Sequence, residues 1–179
     1  VMYGVIAWIP TFFARTFGME IAHAGIWFGV IMAIGGTIGL IVGGSLADRQ
    51  YEKGVADSHL RVMRLSIILG GPPLLAAVLM PNAWLSFMML AIAFPAMTMH
   101  GVGGVALQLI TPNEYRARMT AFYFFVVNLV GLGFGPICIA LLTDELFQND
   151  AALQYSIATV AAIALPIAAI ILTLGFKPF

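Results

Sequence analysis

One histidine, His100, lies in a run of 49 residues, 65 to 113, that contains no Asp, Glu, Lys or Arg. Gly104 and Gln108 follow it at four-residue intervals, which puts all three on one face of a helix, with Met97 nearby. His100 stands about ten residues from the inner end of its helix, roughly 15 Å deep at ~1.5 Å per residue. It is the one acid, base or histidine buried at midspan. An ionisable group at that depth faces a substrate or exchanges protons, and a histidine titrates near neutral pH. The plainer alternative is a neutral imidazole satisfied by a neighbouring carbonyl.

The chain offers little other chemistry. Ser86 is about 21 Å from His100 along the same helix, and Ser45, Ser66 and Ser156 sit near helix ends, so no serine shares the depth of the histidine. His23, His59 and His100 fall at three depths and Cys138 is the only cysteine, which leaves no metal site and no disulfide. No phosphate-cradling loop is present, and no cofactor is expected. An intramembrane hydrolase and a six-helix channel or homodimeric half-transporter stay as rival readings. Serine geometry disfavours the first, and the lack of a filter-like loop disfavours a channel.

The elements that hold these residues follow from composition. Of 179 residues 61% are hydrophobic and 9% charged, with eight basic against eight acidic side chains, and the mean hydropathy is +1.01. A soluble domain carries about a quarter charged residues, so this chain belongs in a lipid bilayer. No basic stripe is available for nucleic acid. Charge-free runs cover 1 to 14, 21 to 47, 65 to 113, 119 to 143 and 151 to 176, and Pro81-Asn82 splits the longest into a hairpin. Six transmembrane helices are expected at about 1–18, 22–47, 62–80, 83–110, 116–142 and 152–176. Runs this long cannot be barrel strands, so the fold is all-α. The chain opens on Val1 without a signal-peptide pattern and reads as a piece of something longer.

Orientation comes from the basic residues. Arg49, Lys53, Arg61 and Arg64 flank the second connection, Arg116 and Arg118 the fourth, and Lys177 follows the last helix; Arg15 alone falls on the other side. The positive-inside rule makes the loops 48–61 and 111–118 and both ends cytoplasmic, and turns the acidic 144–150 stretch outward. Trp8, Trp27 and Trp84 read as interface or packing aromatics.

Packing is written in glycine. Gly25, Gly29, Gly35, Gly39 and Gly43 predict a buried, tightly packed second helix, and Gly131 and Gly135 repeat the pattern on the fifth. Asn128, one turn earlier, is expected to hydrogen-bond across helices. The sixth helix, nearly all Ala, Ile, Leu and Val, is expected to face lipid. Pro10, Pro72 with Pro73, Pro95, Pro136 and Pro166 interrupt five helices, as suits a protein that rocks between shapes.

At the inner end of the second helix the chain reads Gly43-Gly44-Ser45-Leu46-Ala47-Asp48-Arg49. This resembles the G-x-L-A-D-R signature of the major facilitator superfamily of secondary transporters, in Gly44, Leu46, Ala47, Asp48 and Arg49. The segments Pro112 to Arg118, Thr120 to Tyr123, Asn128-Leu129, Gly131 to Pro136 and Thr143-Asp144 are similar to the fourth loop and fifth helix of the second half of such proteins, in particular bacterial members of the spinster-like branch. The sequence departs from that pattern after Arg49, where Gln50-Tyr51-Glu52-Lys53 intervenes.

The resemblance implies helices seven to twelve of a twelve-helix protein whose N-terminal six-helix half is missing here, in a bacterial inner membrane. It implies a cytoplasmic latch of Gly44, Asp48, Arg49, Arg116 and Arg118, packing seams at Gly35, Gly39, Gly43, Gly131, Gly135 and Pro136, and a cavity lined by the first and fourth helices. Candidate lining residues are His100, Gln108, Tyr3, Trp8, Thr11 and Asn128, with Arg15 at the outer mouth. With no charge at midspan, the expected substrate is a small or lipid-like amphipathic solute, with protons as the candidate coupling ion; the spinster-like branch would imply lysolipids or sphingoid phosphates.

Overall fold

A computed structural model describes residues 1–175. Six helical segments run back and forth: α1 Met2–Phe17, α2 Ile21–Glu52, α3 Ser58–Leu79, α4 Ala83–Ile110, α5 Asn113–Phe147 and α6 Asp150–Leu174. No strand occurs among the described residues. Helices α2 to α6 are each long and apolar enough to cross a bilayer. Helix α1, at 16 residues, spans ~24 Å, less than the ~30 Å hydrocarbon core. The chain is an integral membrane protein.

The connections are tight for visible reasons. Gly18 ends α1 in the left-handed conformation, φ 66°, and its N–H reaches back to Ala14 and Phe13. The Pro81-Asn82 turn behaves as its sequence predicts: Asn82 caps α4, its side-chain oxygen accepting from the Trp84 N–H at 2.8 Å. Helix α2 runs to Glu52 and α3 starts at Ser58, so the expected 48–61 loop is largely helical and Asp48 and Arg49 stand within the last turns of α2.

Helix α3 is the hub. It packs against α4, α6 and α2, while α1 leans on α2, α5 and α6. Phe12, Phe13, Leu74, Leu90, Phe94 and Ile157 are fully buried at the centre, and Phe13 of α1 stacks on Phe87 of α4 with ring centroids 3.9 Å apart. At the same end Trp27 meets Trp84 edge to face at 5.5 Å.

The expectation of a buried second helix needs correction. Gly35, Gly39 and Gly43 face α4, but Gly25 and Gly29 have nothing within 4 Å. At 100° per residue, the six-residue step from Gly29 to Gly35 turns the stripe by about a third of a circle, so the two glycine sets look in different directions. Ala24, Phe28 and Ala47 are also buried, but most of the other large apolar side chains of α2, including Ile26, Val30, Ile34, Ile38 and Ile41, are exposed. Helix α6 exposes Ile163, Ile167, Ile170 and Ile171 as expected. Such surfaces are compatible with lipid, which is as apolar as they are.

Two helices change pitch. In α4, Met99–Val102 is 3-10, between α-helical Ala83–Thr98 and Gly103–Ile110. In α5, Leu129–Phe134 and Leu142–Phe147 are π-helical, on either side of Pro136. Proline lacks the N–H that an α-helix needs, and wider turns are one way to absorb the defect.

Candidate functional site

Helices α2 and α4 approach closely along a glycine seam. A Cβ built on Gly39 would overlap the Thr98 hydroxyl and the Pro95 carbonyl oxygen; one on Gly43 would come within 2.9 Å of the Met99 Cα, and one on Gly35 within 3.1 Å of the Pro95 ring. The Thr98 hydroxyl lies 2.9 Å from the Phe94 carbonyl and 3.4 Å from that of Gly35, so it stays satisfied at the crossing.

Just beyond the seam comes His100, in the 3-10 segment and exposed. Its ring Nδ1 meets the Met97 carbonyl, which requires a proton on Nδ1 and leaves Nε2 as the acceptor. The expected face of His100, Gly104 and Gln108 is therefore broken. A 3-10 turn advances about 120° per residue rather than 100°, which rotates His100 away from the row. Gly104 is buried beside Phe124, and the Gln108 amide donates to the Thr120 hydroxyl of α5 at 3.3 Å.

A second seam joins α1 to α5. Gly131 lies against the Tyr3 ring, and a Cβ on Gly4 would fall 2.8 Å from the Gly135 carbonyl oxygen. The Trp8 indole N–H donates to the Pro136 carbonyl at 3.0 Å. Above Trp8, the Arg15 guanidinium lies 6.0 Å from the ring centroid and pairs with Asp150 of α6 at 3.2 Å. Tyr3 and Trp8 thus hold helices together, and Thr11 is half-buried with no hydrogen bond found for its side chain among the described residues. Asn128 does not reach another helix. Its amide donates to the Phe124 carbonyl of its own helix at 2.8 Å, where it borders a shallow hollow of 520 Å³ with Phe124, Phe125 and Leu129.

At the end of the bundle where the basic residues gather, Gly44 faces open space and Asp48, Arg49 and Arg118 are exposed. No hydrogen bond or ion pair of these three side chains occurs among the described residues, whereas the Arg116 Nε donates to the Thr111 carbonyl at 3.1 Å. Lys177 lies outside the described residues. No group of three metal-ligating side chains exists among them.

One pair escaped the sequence reading, which weighed serines only against His100. Ser58 Oγ lies 3.2 Å from His59 Nδ1, both side chains buried, at the start of α3. Asp57 instead accepts from the Arg61 Nε at 3.0 Å, so no acid–histidine–serine relay forms, and a fully buried Ser58 offers no nucleophile to a substrate.

Helices of this kind, crossing in antiparallel order with glycine seams and broken pitch, define a polytopic membrane bundle. Three proteins to which the chain is similar are named as transporters. The chain is 28% identical over 148 residues to a protein of Mycolicibacterium smegmatis named MFS-type efflux pump, covering 82% of this chain and 34% of that one. It is 28% identical over 148 residues to the uncharacterized transporter YybO of Bacillus subtilis, covering 80% and 33%. A putative metabolite transport protein of Haemophilus influenzae is 29% identical over 155 residues, covering 84% and 35%. The chain spans about a third of the length of these relatives. No protein-family profile matches it, and no solved structure matches it significantly.

Proposed function

We propose that this chain is the C-terminal six-helix half of a major facilitator transporter, moving a small or amphipathic organic solute by alternating access, without ATP and without enzymatic chemistry. The observation that carries the reading is the match of four-fifths of the chain to three proteins named as transporters. The exposed apolar faces of α2 and α5 support it, because a missing N-terminal half needs a surface to rock against. In this reading His100, at the pitch change of α4, presents its free Nε2 to the solute or a proton. Asp48 and Arg49 form the latch with partners outside this chain.

The inner membrane and a cytoplasmic placement of both ends belong to the same proposal. It rests on six basic residues at one end of the described bundle, against Arg15 at the other. Proteoliposomes of the complete protein should accumulate an uncharged fluorescent amphiphile under an imposed proton gradient, with no response to ATP. Accumulation driven by ATP alone, or none under any gradient, overturns the proposal.

A further inference from the structure

A cavity of 440 Å³ opens at the end of the bundle where the basic residues gather, between the start of α3, the end of α4 and α5. It is separate from the face that carries Gln108. Its α4 wall is Gly103, Ala106, Leu107 and Ile110, about 100° round the helix from Gly104 and Gln108. His100 does not line it either. Its size falls in the range of sites that hold small organic ligands.

Apart from the Tyr123 hydroxyl, the polar side chains of the wall gather at one end. Tyr51, Asp57 and His59 form the rim, at the end of α2 and the beginning of α3. Met63, one turn deeper, and Ala106 and Leu107 make an apolar floor. Gly103 to Ile110 is eight residues of helix, about 10 Å from the first Cα to the last at ~1.5 Å per residue. At the far end stands Tyr123, whose hydroxyl lies where a Cβ on Gly103 would be 2.8 Å from it.

The rim chemistry is specific. His59 is only 5% exposed, with Tyr51 edge-on to its ring at 6.2 Å. Its Nδ1 is engaged by Ser58, and its Nε2 has no hydrogen-bond partner among the described residues. That nitrogen is absent from the sealed, unpartnered polar atoms, which include only the Thr16 hydroxyl. It therefore keeps some exposed surface, on a residue that lines the cavity. Asp57 is paired with Arg61 at 3.0 Å, and its carboxylate oxygens can only accept hydrogen bonds. A carboxylate or phosphate head would sit against that acceptor. A hydroxyl both donates and accepts, and so matches Asp57, Tyr51 and either tautomer of His59.

We infer that this cavity is a binding site for an uncharged, hydroxyl-bearing amphiphile, with its head against His59 and Asp57 and its apolar body along Met63, Ala106 and Leu107. It goes beyond the transport reading, because binding to the bundle needs no transport. The chain should be placed in lipid nanodiscs with a diazirine-bearing 1-dodecanol, irradiated, and its labelled peptides mapped. Label should concentrate on Met63, Leu107 and Tyr123, and excess 1-dodecanol should suppress it. Ala106→Phe should cut labelling of these peptides about tenfold, while Ala162→Phe on the exposed face of α6 should not. Label spread over α2 and α6, or insensitive to competing 1-dodecanol, overturns the site; the competition decides even if Ala106→Phe does not fold. Equal suppression by dodecyl phosphate would overturn the uncharged-head assignment.

Discussion

Gly39 of α2 lies so close to Pro95 of α4 that the proline carbonyl occupies the place a Cβ would need. This contact sets the spacing of two neighbouring helices, and no side chain larger than hydrogen fits it. Where lipid gives no hydrophobic push between helices, close backbone approach supplies van der Waals contact instead.

Replacing Gly39 by Ala should therefore destabilise the bundle by about 1–3 kcal/mol through overpacking. Gly36, with nothing within 4 Å, is the matched control. Thermal unfolding followed by retention of the monodisperse peak in detergent should show Gly39→Ala falling first. Equal melting of the two variants would mean the seam is loose.

The Trp8 indole ties α1 to the Pro136 carbonyl of α5. Trp8→Phe keeps an aromatic ring and removes the donor, with an expected loss of about 0.5–1.5 kcal/mol. The same melting assay reads it, and no change would place the hydrogen bond in competition with water.

Asp48 and Arg49 stand exposed and unpaired toward the C-terminal end of α2 among the described residues. If they latch the missing half, Asp48→Ala in the complete protein should slow transport roughly fivefold to a hundredfold, the span of a 1–3 kcal/mol coupling. Membrane insertion should be unchanged. Normal uptake removes the latch.

His100 holds the Met97 carbonyl through Nδ1 and leaves Nε2 free. His100→Ala should weaken solute affinity about fivefold, a hydrogen bond's worth, or flatten the pH profile of transport. Normal affinity with an unaltered profile would return the histidine to a local role in the 3-10 turn.

Topology has its own test. In a Cys138→Ser background, single cysteines at Lys53 and Arg116 should react with an impermeant maleimide from one side of the membrane, and a cysteine at Gln148 from the other. Lys53 and Arg116 on opposite sides would break both the helix count and the transport reading.

The amino-acid sequence alone determined that this chain lives in lipid, that it is built from helices, and which stretches collect the cations. Those properties depend on the cost of burying charge and on turn chemistry such as Pro81-Asn82, both of which are local. Tertiary structure decided which glycines pack and which face outward, because Gly29 and Gly35 differ by a rotation that matters only once α4 is in place. It turned Asn128 back onto its own helix, broke the row of His100, Gly104 and Gln108 with a 3-10 turn, and gathered His59, Asp57 and Tyr123 from two helices around one cavity. Spacing along a chain fixes a face only while the pitch is constant, and contacts between distant segments fix the rest.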